Sequence, residues 1–152
     1  MFNKEEIINL RKLSQKYAYT SIQMHESIGR KIGLNGTDHK YLGFLIQKGQ
    51  VTAGQLAVLT GLTTGSVTGL IDRFENKKLV NRQPDKADRR KIIIVPNIEK
   101  IRKLITPFYK DFQNNTDELF SSFSNKELSV LESYFHKALE LMNKEIEKVN
   151  EK

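Results

Sequence analysis

The chain has no cysteine. Structural disulfides, thiolate zinc sites and cysteine-based peroxide sensing are thereby excluded. Nor does any run approach the roughly 18 apolar residues that a membrane span requires. The opening, MFNKEEIINLRKL, is charged and amphipathic rather than a signal peptide. These absences fit a cytoplasmic chain that uses no membrane. Catalytic signatures are missing too: there is no paired histidine and carboxylate motif, nucleophile elbow or phosphate-cradling glycine loop. GLTTGSVTG is glycine-rich, but it lacks the lysine of a phosphate loop and follows a helix. His25, His39 and His136 lie far apart in sequence and read as ordinary surface or partly buried residues. The expectation is a protein that is not an enzyme, with no catalytic residue, metal site or cofactor.

What is present describes a single domain of 152 residues, 38% hydrophobic and 28% charged, long enough for a core of its own. Its 25 Lys+Arg against 18 Asp+Glu leave a net charge of +7. That surplus suits a polyanionic partner, and equally a plain lysine-rich surface.

Asn3 and Glu6 form a capping-box pattern that opens a helix at Lys4. Ile7, Leu10, Leu13, Tyr17, Ser21, Met24 and Ile28 then repeat at alternating three and four, carrying the helix to about Ile32. GLNGTD, Gly33 to Asp38, reads as a loop ending in a cap, followed by a short helix closed by Gly49. Short helices are expected at about Ala53 to Thr60 and Thr64 to Lys78. Then the period changes. LVNRQ and KIIIV read as two strands of a hairpin joined by PDKADRR and ended by Pro96. A further helix carries Ile98, Ile101, Leu104, Ile105, Phe108 and Phe112, with Pro107 expected to kink or restart it. Ser124 and Glu127 form a second capping box, opening a last helix to about Val149. The two end helices carry more apolar surface than a small central body covers. A dimer built from both chain ends accounts for that surface; packing of the two helices within one chain is the alternative.

The stretch GLTTGSVTGLIDRF is the informative one. Val67, Leu70, Ile71 and Phe74 hold the spacing of an apolar helical face, yet the other face is written in poor helix formers. With Ala57, Gly61 and Val67 it meets the spacing of a helix-turn-helix. Ala57 is small where the helices cross, Gly61 can take the positive φ of the turn, and Thr63 is placed to cap the second helix. The outward face then holds Thr64, Gly65, Ser66, Thr68, Gly69, Asp72 and Arg73. Short side chains there let a helix backbone approach a major groove, where hydroxyls meet phosphates or base edges. Such approach justifies the roughly 1 kcal/mol that each of Gly65 and Gly69 costs against alanine. DNA-recognition candidates on this helix are Thr63, Thr64, Gly65, Ser66, Thr68, Gly69 and Arg73.

The hairpin that follows makes the unit a winged helix. Lys86, Arg89 and Arg90 stand at the wing tip, with Arg82 and Lys91 on the strands. Arginine suits the negative potential of a narrow minor groove. Asp85 and Asp88 would be repelled by DNA; Asp88 is better placed to bond loop amides or hold an arginine. The wing candidates are therefore Arg82, Lys86, Asp88, Arg89, Arg90 and Lys91.

Through QLAVLTGLTTGSVTGLIDRFENKKLV and RQPDKADRRKIIIV the chain resembles the MarR family of winged-helix transcriptional regulators, a likeness that spans nearly its whole length. DRR at Asp88 to Arg90 is similar to the family's Asp-x-Arg wing signature, which implies Arg90 as the minor-groove arginine and Asp88 as its organiser. The resemblance implies a mainly α fold with a small β-hairpin wing: a winged helix-turn-helix lobe at about 37–96, and a helical dimerisation part at about 1–36 and 97–152. It further implies a homodimer on a pseudo-palindromic operator in double-stranded DNA, commonly released by a small aromatic ligand. Two departures stand out: Lys78 where a glycine is usual, and VPNIEK after the wing. Tyr17, Met24, Ile28, Tyr41, Phe44 and Phe108 are the candidate effector pocket, though the same residues read first as plain core. A winged-helix scaffold for protein interaction, without specific DNA readout, is the competing function.

Overall fold

The computed structural model describes residues 3–35 and 37–151. Gly36, in the loop expected at Gly33 to Asp38, lies outside them. The order is α1 (Lys4–Lys31), α2 (Asp38–Lys48), β1 (Val51–Thr52), α3 (Ala53–Thr60), α4 (Thr64–Asn76), β2 (Val80–Pro84), β3 (Ile92–Pro96), α5 (Ile98–Ser121) and α6 (Asn125–Asn150). The chain is mainly α with a small antiparallel sheet, as its periodicities predict. Two compact units divide it, Met1–Pro107 and Phe108–Lys152.

The helix starts are set by side-chain caps. Asn3 Oδ1 accepts from the Glu5 amide at 3.1 Å, and Thr52 with Gln55 closes a reciprocal box at α3. At α6 the Ser124 amide donates to Glu127 Oε2 at 2.8 Å while Ser124 caps the Glu127 amide. The bonds from the Ser124 hydroxyl and amide hold the Glu127 carboxyl below its usual range. At α2 the expectation fails. Asp38 is not the cap: Thr37 takes that position without a side-chain bond, and Asp38 is the first helical residue, 3% exposed.

The sheet also has a strand that periodicity did not announce. The expected hairpin is β2–β3, with Arg82 opposite Ile94, but β1 pairs on its far side, Val51 with Ile94, giving the order β1-β3-β2. Two residues are too short to show a period of two. Pro107 does not restart α5, which runs on from Ile98 to Ser121. An interior proline costs about 3 kcal/mol, a sum that long amphipathic stretches on both sides outweigh.

The first unit's core gathers Leu34, Tyr41, Leu42, Leu45, Val51, Leu56, the inner face of α4, Leu79, Val80, Ile94 and Ile101. The recognition candidate is thus anchored from below by α2, α3, the sheet and the start of α5. Its C-terminal end is a Schellman turn: the Leu79 amide bonds the Phe74 carbonyl at 2.9 Å and the Lys78 amide bonds that of Glu75 at 2.8 Å. This geometry needs a left-handed residue, and Lys78 supplies it at φ 57, the one non-glycine with positive φ among the described residues. Lys78→Gly should therefore raise stability by about 1 kcal/mol, or about 2–4 °C in melting temperature. An unchanged or lower midpoint would show that the lysine carries no strain.

Candidate nucleic-acid interface

The helix-turn-helix is assembled as its sequence pattern requires. Gly61 closes α3 in the left-handed region at φ 69, its amide bonding the Ala57 carbonyl. Thr63 then caps α4, its Oγ1 accepting from the Ser66 amide at 3.2 Å. Val67, Leu70, Ile71 and Phe74 are buried, which turns Thr64, Gly65, Ser66 and Thr68 to the exposed side. The space above Gly65 is open: an added Cβ would meet nothing within 4 Å. Part of the hydroxyl chemistry is used locally. Thr63 and Ser66 share a hydrogen bond at 3.0 Å, and the Thr68 hydroxyl donates to the Thr64 carbonyl at 3.1 Å. Thr68 thus presents its methyl and an acceptor oxygen, rather than a free donor.

Gly69 and Arg73 differ from this pattern. They lie one turn apart on the same row of α4, and a Cβ at Gly69 would stand 3.4 Å from Arg73 Nη1. Arg73 folds back over the glycine, and its Nε and Nη2 donate to the two oxygens of Asp38 at 2.7 and 3.0 Å. The hydrogen bond to Asp38 raises the guanidinium further above its ordinary value.

Arg82 is placed by β2 beside α4. Its guanidinium bonds Asp72 and Glu75, and its backbone amide donates to Glu75 Oε1 at 3.2 Å. Its donors tie the wing strand to the recognition helix. Lys86, Arg89, Arg90 and Lys91 are exposed around the tip. Asp85 Oδ1 accepts from the Ala87 amide at 2.8 Å, an Asx turn that shapes the loop. Asp88 Oδ1 accepts from both the Arg90 amide, at 3.1 Å, and Arg90 Nε, at 3.2 Å. One carboxylate therefore sets the loop and aims the arginine, whose side chain is 92% exposed.

The candidate effector residues are distributed differently. Tyr41 is buried in the core with Phe44 packed against it, ring centroids 6.2 Å apart. Met24 and Ile28 are half-buried, Tyr17 is exposed, and Phe108 begins the second compact unit.

The histidines include a pair that sequence distance concealed. His25 on α1 and His39 on α2 stack at 5.9 Å with planes 24° apart. Burial, and then the neighbouring His25, push the His39 imidazole below its ordinary value. A histidine depressed in the fold takes up its proton more readily when unfolded, so stability is full above the unfolded value near 6.5 and falls as the pH drops through the folded one. The melting temperature should decline between pH 7 and pH 5, and His39→Gln should flatten that decline. An equal slope in both proteins would refute it. Among the described residues, no three His, Asp or Glu side chains gather as a metal site, and no helix is long and apolar enough to cross a membrane.

The comparisons agree with this geometry. A model of the MarR family matches residues 32–91, from the end of α1 to the wing tip. The uncharacterised HTH-type transcriptional regulator YcgE of Bacillus subtilis is 34% identical over 139 residues, 91% of this chain and 90% of that protein. A MarR family protein from Bacillus stearothermophilus superposes with a TM-score of 0.75 at 25% identity, over 94% of this chain and 99% of the other. A mutant MarR from E. coli, complexed with operator DNA, shares the fold at a TM-score of 0.60 and 20% identity, over 91% and 99% of the two chains. Fold, capped recognition helix, Asp-x-Arg wing and similarity over 91% of the chain coincide: the chain belongs to the MarR family of winged helix-turn-helix transcriptional regulators.

Proposed function

We propose that the chain is a sequence-specific DNA-binding repressor that acts as a homodimer and is released by a small aromatic ligand. The observation that carries this is the exposed, short-side-chain face of α4 beside a wing arginine aimed by Asp88. Two such helices would enter successive major grooves about 34–36 Å apart on a pseudo-palindromic operator, each wing reaching the flanking minor groove. In this division of labour, residues 37–96 read DNA and residues 1–36 and 97–152 dimerise. Exposed apolar side chains support the second part: Ile7, Leu10 and Leu13 on α1, and Tyr134, Leu141 and Met142 on α6. The E. coli MarR mutant, similar in fold, is a protein seen on operator DNA. The test is the mass of the protein alone and on a duplex of operator length. Two chains free and two per duplex are expected; one chain in both states would refute the dimer.

One observation favours a protein-interaction scaffold instead. The first two turns of α4 hold no Asn, Gln or Arg, and several of their hydroxyls are engaged locally. On that reading the same exposed face would dock a protein, and duplex binding would show no base preference.

A further inference from the structure

Asp38 and Arg73 are 35 residues apart, on the first turn of α2 and the third turn of α4. The Asp38 side chain is 5% exposed, while that of Arg73 is 45% exposed. Arg73 is therefore clasped on one edge and open on the other. A guanidinium has five N–H groups in a rigid plane. Asp38 takes one from Nε and one from Nη2, along the side edge. The end edge, with both hydrogens of Nη1 and one of Nη2, is left over, and Nη1 makes no hydrogen bond among the described residues. That end edge is the fork that fits two neighbouring acceptors, such as guanine O6 and N7 or the oxygens of a phosphate.

An exposed arginine normally samples many rotamers, and ordering it on DNA opposes binding. Here the bidentate grip fixes both the position and the plane of the guanidinium before any DNA arrives. Gly69 completes the arrangement by leaving Nη1 clear of a side chain beneath it. We infer that Asp38 is a positioning residue for DNA recognition: buried and away from the groove, it holds the open edge of Arg73 toward a pair of acceptors on DNA. This rests on the DNA-binding reading above.

The test is a double-mutant cycle on the duplex motif that the wild type selects, with Asp38→Asn, Arg73→Ala and the double variant, each assayed below its own melting transition. Asparagine keeps the shape but replaces one acceptor by a donor, which breaks the two-point grip. Asp38→Asn should weaken binding about tenfold in the wild-type background and not at all in the Arg73→Ala background. A merely structural Asp38 would lower affinity equally in both backgrounds, and that result overturns the inference. So does unchanged affinity in Asp38→Asn. If Asp38→Asn does not fold, Asp38→Glu, which moves the same charge outward, runs the same cycle. Loss confined to one guanine of the motif assigns the open edge to a base; loss uniform across motif variants assigns it to phosphate, and both sustain the role of Asp38. A wild type that selects no motif refutes the DNA-binding reading itself, whereas additive variants on a selected motif refute only this inference.

Discussion

Arg90→Ala is expected to weaken operator binding about tenfold near physiological salt and to reduce the slope of log affinity against log salt by about one. The basis is that Arg90 is almost fully exposed, and its ion pair with Asp88, 3.2 Å long, orients the side chain without contributing much to the fold. The loss should therefore appear in binding alone, with stability within about 0.5 kcal/mol of wild type. Asp88→Ala should lose affinity by a different route, because it removes the acceptor shared by the Arg90 amide and its guanidinium. A salt slope unchanged in Arg90→Ala would remove the wing arginine from the interface.

Phe74→Ala is expected to destabilise the first unit by about 3–5 kcal/mol and to lower its melting midpoint by on the order of 10 °C. Phe74 is fully buried, the largest fully buried side chain among the described residues, and closes the inner face of α4 just before its Schellman turn. Truncation there opens a cavity under the last turn of the recognition helix, the part that carries Asp72, Arg73 and Glu75. Those three side chains anchor α4 to α2 and to the wing. DNA affinity should accordingly fall even at temperatures where the variant is folded. Ser66→Ala on the outer face should do the reverse, leaving the midpoint nearly unmoved while weakening binding. A Phe74→Ala variant that melts like the wild type would contradict the core described above.

Much of this could be read from local pattern. The cap at Thr63, the turn at Gly61, the buried row from Val67 to Phe74 and the Asp88–Arg90 wing all involve residues within a few positions of each other, where periodicity and capping rules act. Lys78 stood out only through the family resemblance, as a lysine where glycine is usual, and the fold shows it left-handed at φ 57. What stayed hidden depends on residues distant in sequence. Asp38 looks like a cap in NGTD, and only the fold reveals Arg73 beside it. Arg82 reads from the sequence as a DNA cation, and only the fold shows Asp72 and Glu75 bonded to it. His25 and His39 stack across two helices, and β1 exists only because β3 offers it an edge. None of these has a short-range signature, since each results from tertiary packing. Pro107 shows the converse for a restart, which the helix running on through it overrides.

The most direct test of the central claim is binding-site selection: the purified 152-residue chain against a pool of random duplexes at near-physiological salt. Enrichment of a palindromic motif with half-sites about one helical turn apart is the predicted result. Recovery of no motif, with binding that vanishes as salt rises, would leave only non-specific attraction to phosphate. The exposed face of α4 would then be a protein-docking surface rather than a reader of DNA.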